Sequence, residues 1–243
     1  MFNLILTNEL KKIVYVIILV IGVFSGQLSQ SQDKYKWIQT TTDSFILNFY
    51  ELNNPEIKAL SMFCEAEFER ITGKLNYAPS KRLTIYFKST STIKRELLLG
   101  KNDILSKKFY VNLSGVTEEI PGEISIKISQ LVIGDMLERK GLRKVPDWYY
   151  YGGVAYFADN ASLDSLSLDD MWRDETLDDL EGMEAMIAGN QVFQCMEVNY
   201  GNEAIANTFN LTRILFNEKK AITNILGIVY TEFLEECNIN SSK

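Results

Sequence analysis

The 243-residue sequence contains no histidine, and this absence excludes several kinds of catalysis. Serine and cysteine hydrolases commonly use histidine as the general base, and the HExxH motif of zinc peptidases supplies two histidine ligands. The phosphate-binding GxxxxGK[ST] loop and the GxGxxG nucleotide motif are also missing. Carboxylates are plentiful, so a hydrolase with paired carboxylates stays open as an alternative.

Cysteine is scarce. The three cysteines are odd in number, widely separated and without a CxxC pair, so no disulfide framework is predicted; they are Cys64, Cys195 and Cys237. Cys64 and Cys195 fall in apolar patterns and are interpreted as small buried hydrophobic residues. A single bridge, formed after export, stays open.

Positive charge is in deficit, with 25 basic against 32 acidic residues and a net charge of −7. Nucleic acid is therefore not an expected partner, because its binding depends on neutralising phosphates with lysine and arginine. Many of the acidic residues lie in the segment 164–185. This segment lacks the spacing of a calcium loop and is interpreted as a solvated, mobile connection.

Long hydrophobic runs are also rare, and the main one lies at the N-terminus. Lys11 and Lys12 precede an apolar run from Ile13 to about Gly26, which is typical of a signal peptide. The run is short compared with the roughly 20 residues of a membrane span. We therefore predict a signal peptide over residues 1–31 and export to the periplasm or outer-membrane face, with membrane contact only if the segment is not cleaved.

The remaining sequence predicts an α+β fold. An α/β lobe is predicted over residues 32–120, with strands near Phe45 and Arg82–Phe87, a strand in KKFYVNL, a long helix capped by Asn54, and a short helix in STIKREL. An all-helical lobe is predicted over residues 121–243. Its first helix is expected to end at Gly141, and the next covers Trp148–Phe157.

The order of these elements resembles the peptidase-MA-like, or gluzincin, domain of zinc metallopeptidases. In active members the first helix carries HExxH, and a second helix of the form PxWxxEGxAxYF supplies a glutamate as the third zinc ligand. The segment VPDWYYYGGVAYFA matches this second pattern. The matching positions are Pro146, Trp148, Gly152, Tyr156 and Phe157. The resemblance implies a zincin-like fold.

The same alignment implies that the zinc site is lost. Tyr151 replaces the ligand glutamate, and SQLVI replaces HExxH, with Ser129 and Ile133 in place of the histidines and Gln130 in place of the general base. Without histidine these four relic positions make a poor zinc site. No catalytic residue, metal ligand or cofactor is therefore predicted. The paired glycines after Tyr151 are expected to allow close helix packing.

A further resemblance covers roughly residues 37–238. Stretches such as ISQLVIGDM and YGNEAIANTFNLTRILFNEKKAITNILG resemble exported Bacteroidetes proteins in which a peptidase-like domain precedes a Tol-type β-propeller. The sequence ends at Lys243 without a propeller, as a natural short form or a fragment. A separately encoded propeller is one partner that this resemblance implies.

The leading hypothesis is a pseudoenzyme of the cell envelope that binds protein or envelope components through a groove between the lobes. Trp148, Tyr149 and Tyr150 are the candidate groove residues, since large rings with polar tips are good interface anchors. The alternative is a metal- or carboxylate-dependent hydrolase of peptides or glycans with a non-standard site. Its metal ligands would be Glu123, Asp135 and Glu138. A purely structural subunit is a third hypothesis.

Overall fold

A four-stranded sheet forms the N-terminal part of the described chain. The computed structural model describes residues 37–50, 52–88, 99–101, 103–104, 108–113, 120–159 and 177–241. The strands are β1 (Trp37–Thr41), β2 (Phe45–Tyr50), β3 (Leu83–Lys88) and β4 (Phe109–Asn112), in the order β1-β2-β3-β4. β1 pairs with β2 antiparallel, whereas β2–β3 and β3–β4 are parallel. The sequence did not predict β1.

One face of the sheet is buried, whereas most of the described side chains on the other face are half-buried or exposed. Alternation along β2 and β3 places apolar side chains on one side, as expected for half-buried strands. The buried side chains are Phe45, Leu47, Phe49, Leu83, Ile85, Phe87, Phe109 and Val111. The ring of Phe45 contacts that of Phe68 on the first helix, so this face is the one that lies against the helices.

The first helix, α1 (Asn54–Leu75), connects β2 to β3. Its N-cap is Asn53 and not the predicted Asn54. The Asn53 side chain accepts from the Glu56 N–H, and the Glu56 carboxylate accepts from the Asn53 N–H, so both residues form a capping box. Pro55 fits the first turn because its missing N–H has no partner to lose there.

From Ile120 onward the described chain is mainly helical, which confirms the α+β fold class. The helices are α2 (Ile120–Leu142), α3 (Asp147–Ala158), α4 (Gly182–Tyr200), α5 (Asn202–Leu215), α6 (Glu218–Leu226) and α7 (Tyr230–Ser241). Helix α2 ends at Leu142, one residue beyond the predicted end at Gly141, and Glu138 interrupts its helical geometry with a φ of 54°. The predicted two-lobe division and the zincin-like relationship stay predictions; residues 37–243 form one compact unit.

A disulfide joins Cys195 on α4 to Cys237 on α7, with Cα atoms 5.6 Å apart. The single bridge that the sequence left open is therefore present, and the interpretation of Cys195 as a small buried hydrophobic residue is wrong, because its sulfur is covalently paired and the residue is only half-buried. Sequence could not reveal the pairing, since it depends on how α7 folds back onto α4. Cys64 is free and buried, as expected, and burial raises the pKa of its thiol to about 12.

Three predictions fall wholly or partly outside the described residues. The signal peptide over residues 1–31 and the helix in STIKREL lie outside them, as does most of the acidic segment 164–185. Where the acidic segment is described, Leu177 is buried and α4 begins at Gly182, so the interpretation as a mobile connection is wrong there. None of the described helices has the length and hydropathy needed to span a bilayer.

Candidate functional site

The helix that resembles the third-ligand helix, α3, is buried along its whole length from Trp148 to Ala158. It packs most closely against α4. A Cβ atom on Gly152 would overlap the backbone of Gly189 in α4, and one on Gly189 would overlap the Trp148 carbonyl group. The two backbones therefore approach through paired glycines.

The second glycine of the pair, Gly153, faces α5. A Cβ atom there would overlap the ring of Phe209. The prediction that adjacent glycines allow close helix packing is therefore confirmed, with a different neighbouring helix for each glycine. Helix α3 therefore contacts both α4 and α5 through its two glycines, and it is shielded from solvent.

Aromatic rings fill the space around α3. Tyr149 lies 4.6 Å from Phe209 and 5.5 Å from Phe193 between ring centroids, and Trp148 lies 6.1 Å from Phe193. Such distances are typical of favourable ring pairs in a core. The rings therefore act as packing between α3, α4 and α5.

The polar tips of these rings are used inside the protein. Trp148 Nε1 donates to Asp178 Oδ1 at 2.8 Å, Tyr149 Oη lies 2.9 Å from Thr212 Oγ1, and Tyr150 Oη donates to the carbonyl oxygen of Gln130 at 3.2 Å. Each of the three side chains is 0% exposed.

The prediction that Trp148, Tyr149 and Tyr150 line an open groove is therefore wrong. The physical reason is that α3 is covered by its helical neighbours and its aromatic donors are satisfied internally. Buried polar groups of this kind normally need such partners. No part of these three side chains is presented to a ligand.

Two of the relic positions converge on one atom. Tyr151 Oη donates to the carbonyl oxygen of Leu99 at 3.1 Å, and Gln130 Nε2 reaches the same oxygen at 3.5 Å. The position aligned with the third zinc ligand therefore lies beside the position aligned with the general base. Ser129 and Ile133, aligned with the histidines, are also 0% exposed on α2.

The segment that supplies Leu99 covers this place. Lys101 Nζ donates to the Val145 carbonyl oxygen at 2.6 Å and pairs with Asp147 Oδ1 at 2.6 Å, at the start of α3. Ile104 contacts α2, since a Cβ on Gly134 would lie 3.3 Å from it. The described residues 99–101 and 103–104 thus form a covering segment across α2 and α3.

The polar groups under the covering segment are only partly satisfied. Ser129 Oγ and Gln130 Oε1 are buried and have no hydrogen-bond partner among the residues that the structure describes. An unpaired buried acceptor or hydroxyl costs about 1–3 kcal/mol. These two residues are therefore poor choices for a purely apolar core, and stability alone does not explain them.

The electrostatics of the site disfavour metal binding by Tyr151. Burial, with a smaller effect from the Asp147 carboxylate, raises the pKa of Tyr151 to about 12. The side chain is a neutral phenol at physiological pH, whereas a metal ligand has to give up its proton. A hydrogen bond to a carbonyl oxygen is the interaction that this protonated group makes.

The alternative ligand set is not brought together. Glu123 and Asp135 are twelve positions apart on α2, which corresponds to about 18 Å along a helix. Asp135 accepts a hydrogen bond from Tyr77 at 2.8 Å, and Glu138 is exposed at the break in α2. Among the described residues, no three histidine, cysteine or acidic side chains are placed to share a metal ion.

A separate open cleft of about 610 Å³ lies where β2 and β3 begin. Its lining includes Asp43, Phe68, Lys81 and Arg82. Arg82 Nε already donates to the Thr42 carbonyl oxygen at 2.8 Å. The cleft is far in sequence from the relic positions and does not involve them.

Sequence reasoning missed the partners that close the site. Two of these partners bond to rings of α3 from more than 25 positions away in the sequence, namely Asp178 and Thr212. The other two, Leu99 and Lys101, come from a stretch whose sequence has no helical or strand pattern. Nothing local in the sequence signals such contacts. The three-residue spacing of Lys101 from Ile104 also does not indicate that this segment contacts α2 and α3.

Comparison with known proteins adds no relative. No family model matches the chain, and neither the curated proteins nor the solved structures contain a significant match.

Proposed function

We propose that this chain is an exported, non-catalytic peptidase-like domain of the cell envelope that works by binding protein or envelope components. The observation that carries the proposal is the pair of hydrogen bonds from Tyr151 and Gln130 to the Leu99 carbonyl oxygen. Two positions that the resemblance assigns to zinc chemistry lie side by side, yet they carry neutral side chains. The covering segment occupies the place above them.

Retention of the packing residues supports the same proposal. Gly152 makes the close approach of α3 to α4, and Trp148 and Phe157 are fully buried. A catalytic zinc ion usually joins a core that is already formed, so its loss leaves such packing intact. A domain of this kind keeps its shape after losing its ligands.

The disulfide supports export. Disulfides persist in oxidising compartments such as the periplasm and are rare in the cytosol. The Cys195–Cys237 bridge is thus consistent with the signal-peptide pattern around Lys11 and Ile13. The partners proposed are an envelope protein or complex, including a separately encoded β-propeller.

The first test measures zinc in the purified full chain by mass spectrometry. We expect far less than one zinc per chain, and no change in zinc content for Tyr151→Phe or Asp135→Ala. Stoichiometric zinc that disappears in either variant would contradict a non-catalytic role. Thiol counting on protein taken from the native envelope fraction tests export; a chain with all three thiols free in the cytosol contradicts it.

The second test restores the ligands. Ser129→His, Gln130→Glu, Ile133→His and Tyr151→Glu in one chain should create a zinc site, seen as zinc binding and a rise in the melting temperature when zinc is added. The matched control carries Tyr150→Glu in place of Tyr151→Glu. A folded restored chain that binds zinc no better than the control contradicts the relic assignment.

A further inference from the structure

The face of the sheet whose described side chains are mostly half-buried or exposed carries an aromatic row. Strand register places one large ring from each strand on this face: Trp37, Tyr50, Tyr86 and Tyr110. Ring centroids are separated by 5.4 Å between Trp37 and Tyr50, by 5.7 Å between Trp37 and Tyr86, and by 5.2 Å between Tyr86 and Tyr110. The rings therefore form one continuous surface across all four strands, and we call it the aromatic row.

The aromatic row differs from the buried rings of α3 in its access to solvent. Tyr110 is 38% exposed, and the other three rings are half-buried. Helix α1 lies against the opposite face, as the contact of Phe45 with Phe68 shows. Cross-strand ring pairs stabilise a sheet. Here such pairs follow one another from one edge strand to the other, so the rings also offer a continuous surface.

Two lysines accompany the rings. Lys88 Nζ lies 5.1 Å from the centroid of Tyr50, and Lys108 Nζ lies 5.1 Å from that of Tyr86. Among the described residues that strand register places on this face, none is Asp or Glu. The chain as a whole has an excess of acidic residues. Lys108 thus gives the described part of this face a positive charge on an acidic protein, which suits a partner with negative charge.

Amide side chains complete the surface. Gln39 pairs in register with Asn48, and Asn48 pairs with Tyr86, so both amides lie beside the rings on the same face. An amide offers donors and an acceptor, and a tyrosine hydroxyl offers both. A ligand rich in hydroxyl groups would find hydrogen-bonding partners between the rings.

We propose that the aromatic row binds an acidic glycan. The apolar faces of sugar rings stack on the aromatic rings, sugar hydroxyls bond to the amides and tyrosine hydroxyls, and the carboxylates pair with lysine. The row spans about 14 Å, three strand spacings, which suits a short oligosaccharide. The inference rests on the proposed binding role and assigns it a surface and a ligand class.

Single-stranded nucleic acid also stacks on aromatic surfaces next to positive charge. Its phosphates carry one negative charge per nucleotide, so tight binding requires many cationic contacts. Two lysines on a protein of net charge −7 are a weak match for that density. A glycan with widely spaced carboxylates fits the observed charges better.

The test measures binding of a hyaluronan hexasaccharide, an uncharged chitin hexasaccharide and single-stranded oligothymidylate to the full chain, by calorimetry and by fluorescence of Trp37. We expect the hyaluronan probe to bind most tightly. Tyr86→Ala should weaken it about tenfold, as loss of one stacking ring does in other systems. Tyr86→Phe should restore most of the loss, because the ring is retained.

Charge is tested with Lys108→Gln, and Lys58→Gln on the exposed side of α1 is the matched control. Lys108→Gln should weaken the hyaluronan probe several-fold and leave the chitin probe unchanged. Equal effects of both lysine variants, equal binding of both sugars, preferred binding of oligothymidylate, or no binding of any probe overturns the assignment. Melting temperatures show whether Tyr86→Ala is folded, and Tyr86→Phe and Lys108→Gln keep the test decisive if it is not. The zinc measurements are independent of these results.

Discussion

Aromatic side chains occupy two contrasting regions of this protein. On α3, Trp148, Tyr149 and Tyr150 are fully buried, and their polar atoms bond to Asp178, Thr212 and the backbone of α2. On the sheet, the rings of the aromatic row contact one another and two lysines, and they retain access to solvent.

The difference shows that a ring's role depends on its neighbours and on where its polar tip is satisfied. A buried hydroxyl with a fixed partner specifies a packing geometry, and removing the hydroxyl lowers the free energy of unfolding. A ring at the surface adds less to stability and remains available to a ligand. The helix that most resembles an active-site element is therefore the less suitable binding surface of the two.

The largest effect is expected from Gly152→Ala, which forces α3 away from α4. The added methyl group overlaps the Gly189 backbone, and no side chain can move aside to accommodate it. Overpacking typically costs about 1–3 kcal/mol, and the backbone contact places this variant at about 3 kcal/mol or more. Chemical denaturation measures the change in the free energy of unfolding.

The control for this variant is Gly73→Ala on α1. A Cβ at Gly73 has no atom within 4 Å. Alanine favours the helix over glycine by about 0.5–1 kcal/mol, so this variant should be slightly stabilised. Similar losses of stability in both variants would contradict the close approach of α3 and α4.

A smaller effect is expected from Lys101→Ala, which removes the anchor of the covering segment. The variant loses the hydrogen bond to the Val145 carbonyl oxygen and the ion pair with Asp147. A hydrogen bond from a charged group contributes about 1.5–3 kcal/mol, and the partial exposure of this pair places the loss near 2 kcal/mol. Denaturation measures it.

Lys101→Ala should also change the pKa of the buried side chain of Tyr151. Without the anchor, Tyr151 gains access to water, and its pKa should fall from about 12 towards the ordinary value. Absorbance titration measures the pKa in Lys101→Ala, and the same titration of Lys101→Ala in a Tyr151→Phe background is the control. An unchanged pKa in Lys101→Ala would show that the covering segment does not enclose Tyr151.

The sequence predicted the order of the elements because their signals are local. Alternation in β2 and β3, the periodicity of α1 and the pattern of α3 are each contained in a short stretch. It also predicted close helix packing at Gly152 and Gly153. The single-residue error at the N-cap of α1 arose because Asn53 and Asn54 are both suitable caps.

The sequence did not reveal the surroundings of the site, because these depend on distant residues. Burial of Tyr149 requires α4 and α5, and closure over Tyr151 requires Leu99. An aromatic run on a helix has the same sequence whether it is covered or open. The aromatic row was missed for a similar reason, since its members are distributed over four strands and β1 was not predicted.

The stability of the buried region should depend on alkaline pH. The pKa of Tyr151 is about 12 in the folded chain and about 10 in an unfolded one, so the unfolded chain releases this proton first. The stability contribution is fully present below about pH 10 and is lost as pH rises through about 12. Tyr151→Phe should reduce the slope by up to about 1.4 kcal/mol per pH unit in this range.

The pH dependence is measured by denaturation at several values between neutral pH and the end of that range. Tyr151→Phe lacks the hydrogen bond to Leu99 at every pH. Loss of this bond therefore lowers the stability of the variant by the same amount throughout the range and does not change the slope. Identical slopes for the two proteins would contradict a raised pKa at Tyr151.

The smallest effect is expected from removing one hydroxyl in each region. Tyr149→Phe leaves the ring among Phe193 and Phe209 and removes the bond to Thr212, which should cost about 1 kcal/mol. Tyr110→Phe on the aromatic row should change stability by less than about 0.5 kcal/mol, as expected for a surface substitution. Denaturation midpoints measure both. Equal costs would mean that the row's hydroxyl groups are structural too, and the contrast between the regions would then rest on solvent access alone.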